Sequence, residues 1–244
     1  FRLYDRVLTP TEVENLYDLE KPTDGQKMKV FVRGNNEFGE LGQNFQLFQI
    51  TPKSISDKVK SVASGKAHSL ILKENGSLWT TGSNFFGQLG DGTFKDRSKP
   101  KMIESGGVRS IAACGDHSLY IKEDGSLWGM GRNTHGQLGI SENEHKNRPV
   151  QILLAGVKDV FSGTYHSFFV KMDGSLWGMG NNQFGQLGDG TTVQRRKPVK
   201  IVASGVESVA GGYEHTAFVK TNGSLWSMGK NNYGQLGNGS TTDR

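Results

Sequence analysis

Cysteine, proline and long apolar runs are all scarce in this chain, and each scarcity removes a class of protein. Cys114 is the single cysteine in 244 residues. That excludes an intrachain disulfide and a cysteine-based zinc centre, and leaves a small apolar side chain. No stretch approaches the roughly 18 apolar residues of a spanning helix, so no membrane insertion of that kind is expected. Charge of one sign is modest as well: 29 Lys and Arg against 24 Asp and Glu give +5. Such a balance tolerates an anionic partner without demanding one. Glycine is the abundant residue, 34 of 244, about twice the usual share of ~7% and without a collagen period. Many tight turns are expected. With Phe1 first and no apolar leader, the chain reads as a piece of a longer or processed protein, and secretion stays open.

The turns recur. The tetrapeptide Gly-Ser-Leu-Trp begins at 76, 125, 174 and 223, a constant step of 49. All four tryptophans (Trp79, Trp128, Trp177 and Trp226) therefore share one repeat position, as do His68, His117, His166 and His215. Pro100, Pro149 and Pro198 keep the step, and an earlier copy at 28–42 carries Phe31 where the others carry tryptophan. The implied units are 27–75, 76–124, 125–173, 174–222 and an incomplete 223–244. Self-similarity at this period marks a stacked repeat architecture.

Within a unit, a β-rich run at 68–73 meets a second at 77–81 across Asn75-Gly76. Asp124-Gly125, Asp173-Gly174 and Asn222-Gly223 repeat the dipeptide, which predicts a hairpin with a type I′ turn. Two further strands, at 101–103 and about 108–113, are separated by Glu-Ser-Gly-Gly. Four antiparallel strands per unit of 40 to 50 residues correspond to one propeller blade. A lone four-stranded sheet cannot cover both faces, so successive units must stack, with the tryptophans packed between them. The expected fold is all-β: an incomplete propeller arc of about four blades with exposed edges.

Residues 62–93, VASGKAHSLILKENGSLWTTGSNFFGQLGDGT, resemble the repeat of the regulator of chromosome condensation family. The shared elements are the small residues before His-Ser-Leu, the Asn/Asp-Gly turn and Gly-x-Asn-x-x-Gly-Gln-Leu-Gly. The resemblance covers 27–244 and implies a seven-bladed propeller, of which this chain would hold part. Departures are Cys114 where Gly65, Gly163 and Gly212 stand, Phe161 for a small residue, and Glu40 for glutamine. Family members exchange nucleotide on a Ran-type GTPase, bind chromatin, or inhibit secreted β-lactamases, and a shared fold does not choose among these. The family's exchange factors carry a projecting wedge between strands, for which the uniform step leaves no room.

The first residues, FRLYDRVLTPTEVENLY, resemble the end of a laminin-G-like, concanavalin-type jellyroll: a last strand and a short closing helix. Thr9 suits an N-cap, Pro10 the first helical position and Glu12 the capping box. The division is a jellyroll remnant at 1–19, a linker at 20–26 and propeller repeats at 27–244. Together the two resemblances imply a modular secreted or surface protein.

Strand direction places three variable elements on one rim, the loop face. Before the histidines come Lys66-Ala67, Gly115-Asp116, Thr164-Tyr165 and Tyr213-Glu214; before the Gln-Leu-Gly glycine come Glu37-Phe38, Phe85-Phe86, Thr134-His135, Gln183-Phe184 and Asn232-Tyr233. The long loops add basic residues, among them Arg195 and Arg196. Aromatics and arginine dominate binding hot spots. Phe85, Phe86, Tyr165, Tyr213, Phe184, Tyr233, Arg132, Arg195 and Arg196 are therefore the candidates for touching a protein or other macromolecular partner. The competing structural reading has Phe86, Phe184 and Tyr233 packing under their own loops and the basic residues merely solvated.

Other chemistry finds little support. Four equivalent histidines on blades about 10 Å apart cannot share one zinc ion, which needs nitrogens at about 2.0–2.1 Å, so structural hydrogen bonds are expected of them. His135 and His145 form a weak exposed pair in one loop. Gly-Gln-Leu-Gly-Asp-Gly-Thr lacks the Gly-Lys-Ser/Thr ending of a phosphate loop, and no helix pattern follows it. His68 and Ser69 point to opposite faces of a strand. No catalytic set and no cofactor are expected. Nucleic-acid binding rests on the small positive charge alone.

Overall fold

The computed structural model describes residues 29–35 and 48–244, with side-chain surroundings from Ser54 onward. The jellyroll-like segment and the linker lie outside the described residues. Every described element is a strand: β1(Lys29–Asn35), β2(Phe48–Asp57), β3(Val59–Ser64), β4(His68–Lys73), β5(Leu78–Gly82), β6(Arg97–Glu104), β7(Val108–Cys114), β8(His117–Lys122), β9(Leu127–Gly131), β10(Lys146–Leu153), β11(Val157–Ser162), β12(His166–Lys171), β13(Leu176–Gly180), β14(Arg195–Val202), β15(Val206–Gly211), β16(His215–Lys220) and β17(Leu225–Gly229).

They form three antiparallel sheets of four, β3–β6, β7–β10 and β11–β14, a three-stranded sheet β15–β17 and the pair β1-β2. Strand β3 meets β7, β7 meets β11 and β11 meets β15, so each sheet's first strand lies innermost and its fourth outermost. The outermost strands of the four-stranded sheets carry Pro100, Pro149 and Pro198, where a missing N–H leaves no ladder bond unmade.

Sheet boundaries and sequence period are out of phase. Ser105-Gly106-Gly107 does not join two strands of one hairpin; it carries the chain from the outer edge of one sheet to the inner strand of the next. A unit counted from Gly-Ser-Leu-Trp therefore starts in mid-sheet.

The hairpin turn also differs from expectation. Gly76, Gly125, Gly174 and Gly223 have φ of 76°, 77°, 75° and 79°, whereas Asn75 and its counterparts are not among the positive-φ residues. Gly76 N–H donates to Lys73 C=O and Lys73 N–H to Ser77 C=O. This is a three-residue loop, a type I turn followed by a left-handed glycine bulge, and not type I′. Asn or Asp is selected by a different bond: Asn75 Oδ1 accepts from Ser77 N–H at 3.1 Å and from Ser77 Oγ at 2.7 Å.

Both faces of each four-stranded sheet are covered, so the central strands are buried continuously rather than alternately. Leu119, Ile121 and Leu127 meet Val157, Val160, Phe169 and Met179 of the next sheet. Tyr120 and Met130, on the other face, meet Leu70, Leu72 and Leu78 of the preceding one. Trp128 and Trp177 pack at the margins of these cores and are half-buried. Tyr120 stacks on Trp128 and Phe169 on Trp177, while Trp128 Nε1 donates to Ser126 Oγ at 2.8 Å. Trp79 likewise donates to Ser77. Trp226, on the last described strand, is 51% exposed. The tryptophans join strands within a sheet as much as they join sheets.

Candidate functional site

The loop face rests on a buried amide. Asn84, fully buried, donates from Nδ2 to Asp91 Oδ1 and Thr93 C=O, and its Oδ1 accepts from Leu89 N–H at 2.9 Å. Asp91 in turn holds Arg97 at 2.6 Å. Burial, the largest influence, raises the Asp91 pKa, but hydrogen bonds from Thr93 and Arg97 and the Arg97 charge outweigh it and leave the pKa lowered. Asn133, Asn182 and Asn231 repeat the device, and Asp189 holds Arg195 as Asp91 holds Arg97. Each long loop is thereby fixed from within.

Beneath the loops runs a seam between sheets. His68 Nε2 lies 2.9 Å from Ser118 Oγ, His117 Nε2 2.8 Å from Ser167 Oγ, and His166 Nε2 2.9 Å from Thr216 Oγ1. Each hydroxyl gives its own proton to a glutamine carbonyl: Gln88, Gln137 or Gln186. It must therefore accept from the imidazole, which fixes the Nε2–H tautomer. The other nitrogen, Nδ1, is buried without a partner among the described residues in all three. A second proton there would be desolvated, and burial lowers the pKa of His68 to about 4 and of His117 and His166 to about 3. Charges on neighbouring histidines of the seam add to the effect for His117 and His166.

The imidazole also dictates the glycine before it. A Cβ on Gly65, Gly163 or Gly212 would stand 2.1 to 2.3 Å from the ring Cε1 of the following histidine. In the second sheet β7 continues to Cys114, paired with His117, and Gly115 makes the turn at φ 52°. The glycine has moved one place, which is how Cys114 is accommodated. Its Sγ lies 3.8 Å from Thr164 Oγ1.

At the rim, the segment before each histidine and the segment after each tryptophan strand are joined by backbone bonds, such as Arg132 N–H to Asp116 C=O and Asn181 N–H to Tyr165 C=O. Five candidates form one chain of contacts. Phe85 meets Phe86 edge-on at 4.9 Å, Arg132 lies over Phe86 at 4.8 Å and over Tyr165 at 5.3 Å, and Tyr165 meets Tyr213 at 5.4 Å. Phe184 belongs to a second group, under Lys230 at 4.7 Å, with Lys230 paired to Glu214 at 2.6 Å. The two groups are alike: a cation paired to an acid of its own sheet covers an aromatic of the preceding one. Phe86 and Phe184 are half-buried, each with a cation of the next sheet over its ring.

The remaining candidates separate. Tyr233 is 86% exposed, and no cation of the described residues lies over it. Arg195 is held in the Asp189 clamp, and Arg196 is exposed on the outermost strand. His135 and His145 stand on different rings, Tyr165 and Phe86. His145 Nδ1 accepts from Asn133 N–H at 3.3 Å, where Asp96 Oδ1 serves Asn84.

The buried asparagines, the hydroxyl partners of the histidines and the Lys230–Glu214 pair had no functional reading in the sequence. Asn84, Asn133, Asn182 and Asn231 do keep the 49-residue step, and that signal was available.

Consecutive four-stranded antiparallel sheets, each with its first strand innermost, define the blades of a β-propeller. The chain belongs to the RCC1-like domain family, which it matches over residues 29–244. Human WBSCR16 is similar in structure, with 26% identity and a TM-score of 0.79, over 88% of this chain and 61% of that one. Prp20p of Saccharomyces cerevisiae, studied for its binding to Gsp1p and histones, shares 26% identity with a TM-score of 0.67, over 76% of this chain and 50% of that one. A protein RCC2 homolog of Xenopus laevis is 52% identical over 50 residues, which are 20% of this chain and 10% of the relative.

Proposed function

We propose that this chain is a non-catalytic, protein-binding propeller whose contact surface is the loop face. The observation that carries the reading is the continuous contact from Phe85 through Phe86, Arg132 and Tyr165 to Tyr213, built from residues that change from blade to blade on an otherwise uniform scaffold. The repeated histidines support the non-catalytic half, since three of them are held in the inter-sheet seam. Tyr165→Ala, Tyr213→Ala and Phe85→Thr combined should abolish partner capture at unchanged melting temperature. Undiminished capture would sink the reading.

The similarity to Prp20p favours a second reading, nucleotide exchange on a Ran-type GTPase or binding to chromatin. Catalysed nucleotide release would establish exchange. Affinity for a DNA duplex that falls steeply with salt would establish phosphate contacts, for which the exposed Lys99, Arg148, Arg196 and Lys197 of the outermost strands are the candidates. The jellyroll-like beginning supports placement in a modular secreted or surface protein. Protease accessibility of the intact parent on whole cells tests that placement.

A further inference from the structure

We infer that the loop face takes a protein segment in which a carboxylate stands beside large apolar side chains, with Arg132 receiving the carboxylate and Phe85 and Tyr213, on either side of it, an apolar group each. The inference rests on the loop face being the contact surface and adds the chemistry of the occupant.

The repeat does not require an arginine at 132, because Ser83 and Asn181 occupy the aligned position. Yet this guanidinium is held in one orientation. Nε donates to Thr134 Oγ1 at 3.1 Å, Nη1 to Asp116 Oδ2 at 3.2 Å, and the plane is covered by Phe86 and Tyr165. Nη2 has no hydrogen-bond partner among the described residues. A fixed guanidinium with an open edge suits an incoming carboxylate, since little orientation entropy remains to be lost. A cationic partner is disfavoured, because the rings that would attract it already face Arg132.

Phe85 is 73% exposed, where Glu37, Thr134, Gln183 and Asn232 stand in the other copies. Tyr213 is 57% exposed, aligned with Lys66, Gly115 and Thr164. Neither is needed to build its loop, and the two flank Arg132 through Phe86 and Tyr165. Charge agrees. On this inner rim Asp116 is paired to Arg132 and Glu214 to Lys230, which leaves the exposed Lys66 and the open edge of Arg132 to face an anion.

Selection of a phage-displayed random peptide library on the intact chain tests this. The expected consensus places Asp or Glu within two residues of Trp, Phe or Leu. A synthetic consensus peptide should bind at least about tenfold more weakly when its acids become Gln. The same loss should follow Arg132→Ser, with partial rescue by Arg132→Lys at unchanged melting temperature. Selected peptides that lack acids but lose binding on Phe85→Thr or Tyr213→Thr would overturn the carboxylate assignment and leave the loop face standing. Peptides indifferent to Phe85, Tyr213 and Arg132 alike would overturn both. Equal displacement by a single-stranded DNA oligonucleotide would also overturn it, by showing bare anion attraction.

Discussion

Each interface between sheets has two levels that obey different rules. In the buried seam, His68–Ser118, His117–Ser167 and His166–Thr216 repeat one geometry to within 0.1 Å. A few residues above it, at the rim, uniformity is lost: a cation covers Phe86 and Phe184 (Arg132 in one case, Lys230 in the other), but at the interface between them His135 meets Tyr165. A buried imidazole–hydroxyl–carbonyl relay has one satisfactory arrangement, and failure to satisfy it is costly. Half-exposed aromatic and cationic contacts have many arrangements worth similar small amounts. The seam is thus constrained by folding, and the rim is open to be shaped by a partner.

Acid should separate the two levels most strongly. The seam imidazoles titrate at about 4, 3 and 3 when folded, and near 6.5 when unfolded. Between those values the unfolded chain binds more protons. Stability is therefore fully present above pH 6.5 and is lost as pH falls through the window toward the folded values. The slope is about 1.4 kcal/mol per pH unit for each imidazole, and about 4 for three, between pH 6 and pH 5. Urea midpoints measured from pH 7.5 to 4.5 should show this slope, and His117→Asn should reduce it. His135→Gln should reduce it less, since burial lowers the pKa of that ring too, but the ring is half-exposed and takes no part in the seam. A flat profile would mean the seam is not closed in solution.

Deleting one member of each level comes next. His117→Ala removes a buried side chain and leaves Ser167 Oγ without its donor, for an expected loss of about 2–4 kcal/mol. Asn182→Ala removes the amide that bonds Asp189, Thr191 and Leu187, and should cost a similar amount. Gly163→Ala places a methyl 2.2 Å from the His166 ring and should cost about 1–3 kcal/mol. Chemical denaturation of the purified variants measures all three.

The difference between the levels also decided what could be read in advance. Period, strand content and blade architecture were legible because the seam repeats, and repetition is visible without coordinates. Asn75-Gly76 located the hairpins correctly, but the turn type was mistaken: the dipeptide suits two backbone geometries, and a side-chain bond from Ser77 selects between them. Sheet phase was illegible because a period has no intrinsic origin. The rim was half legible. Variation marked Phe85, Tyr165 and Tyr213, but covering of Phe86 and Phe184 by a cation of the next sheet depends on contacts 46 residues away, which no local pattern announces. Arg195, read as a rim cation, is also paired to Asp189, as Arg97 is to Asp91, a role that the run of basic residues did not announce.

The smallest expected change in stability is the most telling about the rim. Phe85→Thr installs the residue that the next blade carries as Thr134, on a loop whose Asn84 core, Phe86 N–H to Gln88 bond and Asp91 clamp do not involve the Phe85 side chain. Phe85 is 73% exposed and touches Phe86 through one edge-on contact, so the loss should stay within about 0.5 kcal/mol. Solubility should rise, because an exposed aromatic is removed. Binding through the loop face should nevertheless fall, since a large apolar group held in water by a rigid loop recovers its hydration cost only against a partner. A clear drop in melting temperature would instead make Phe85 part of the scaffold and return it to the rules of the seam.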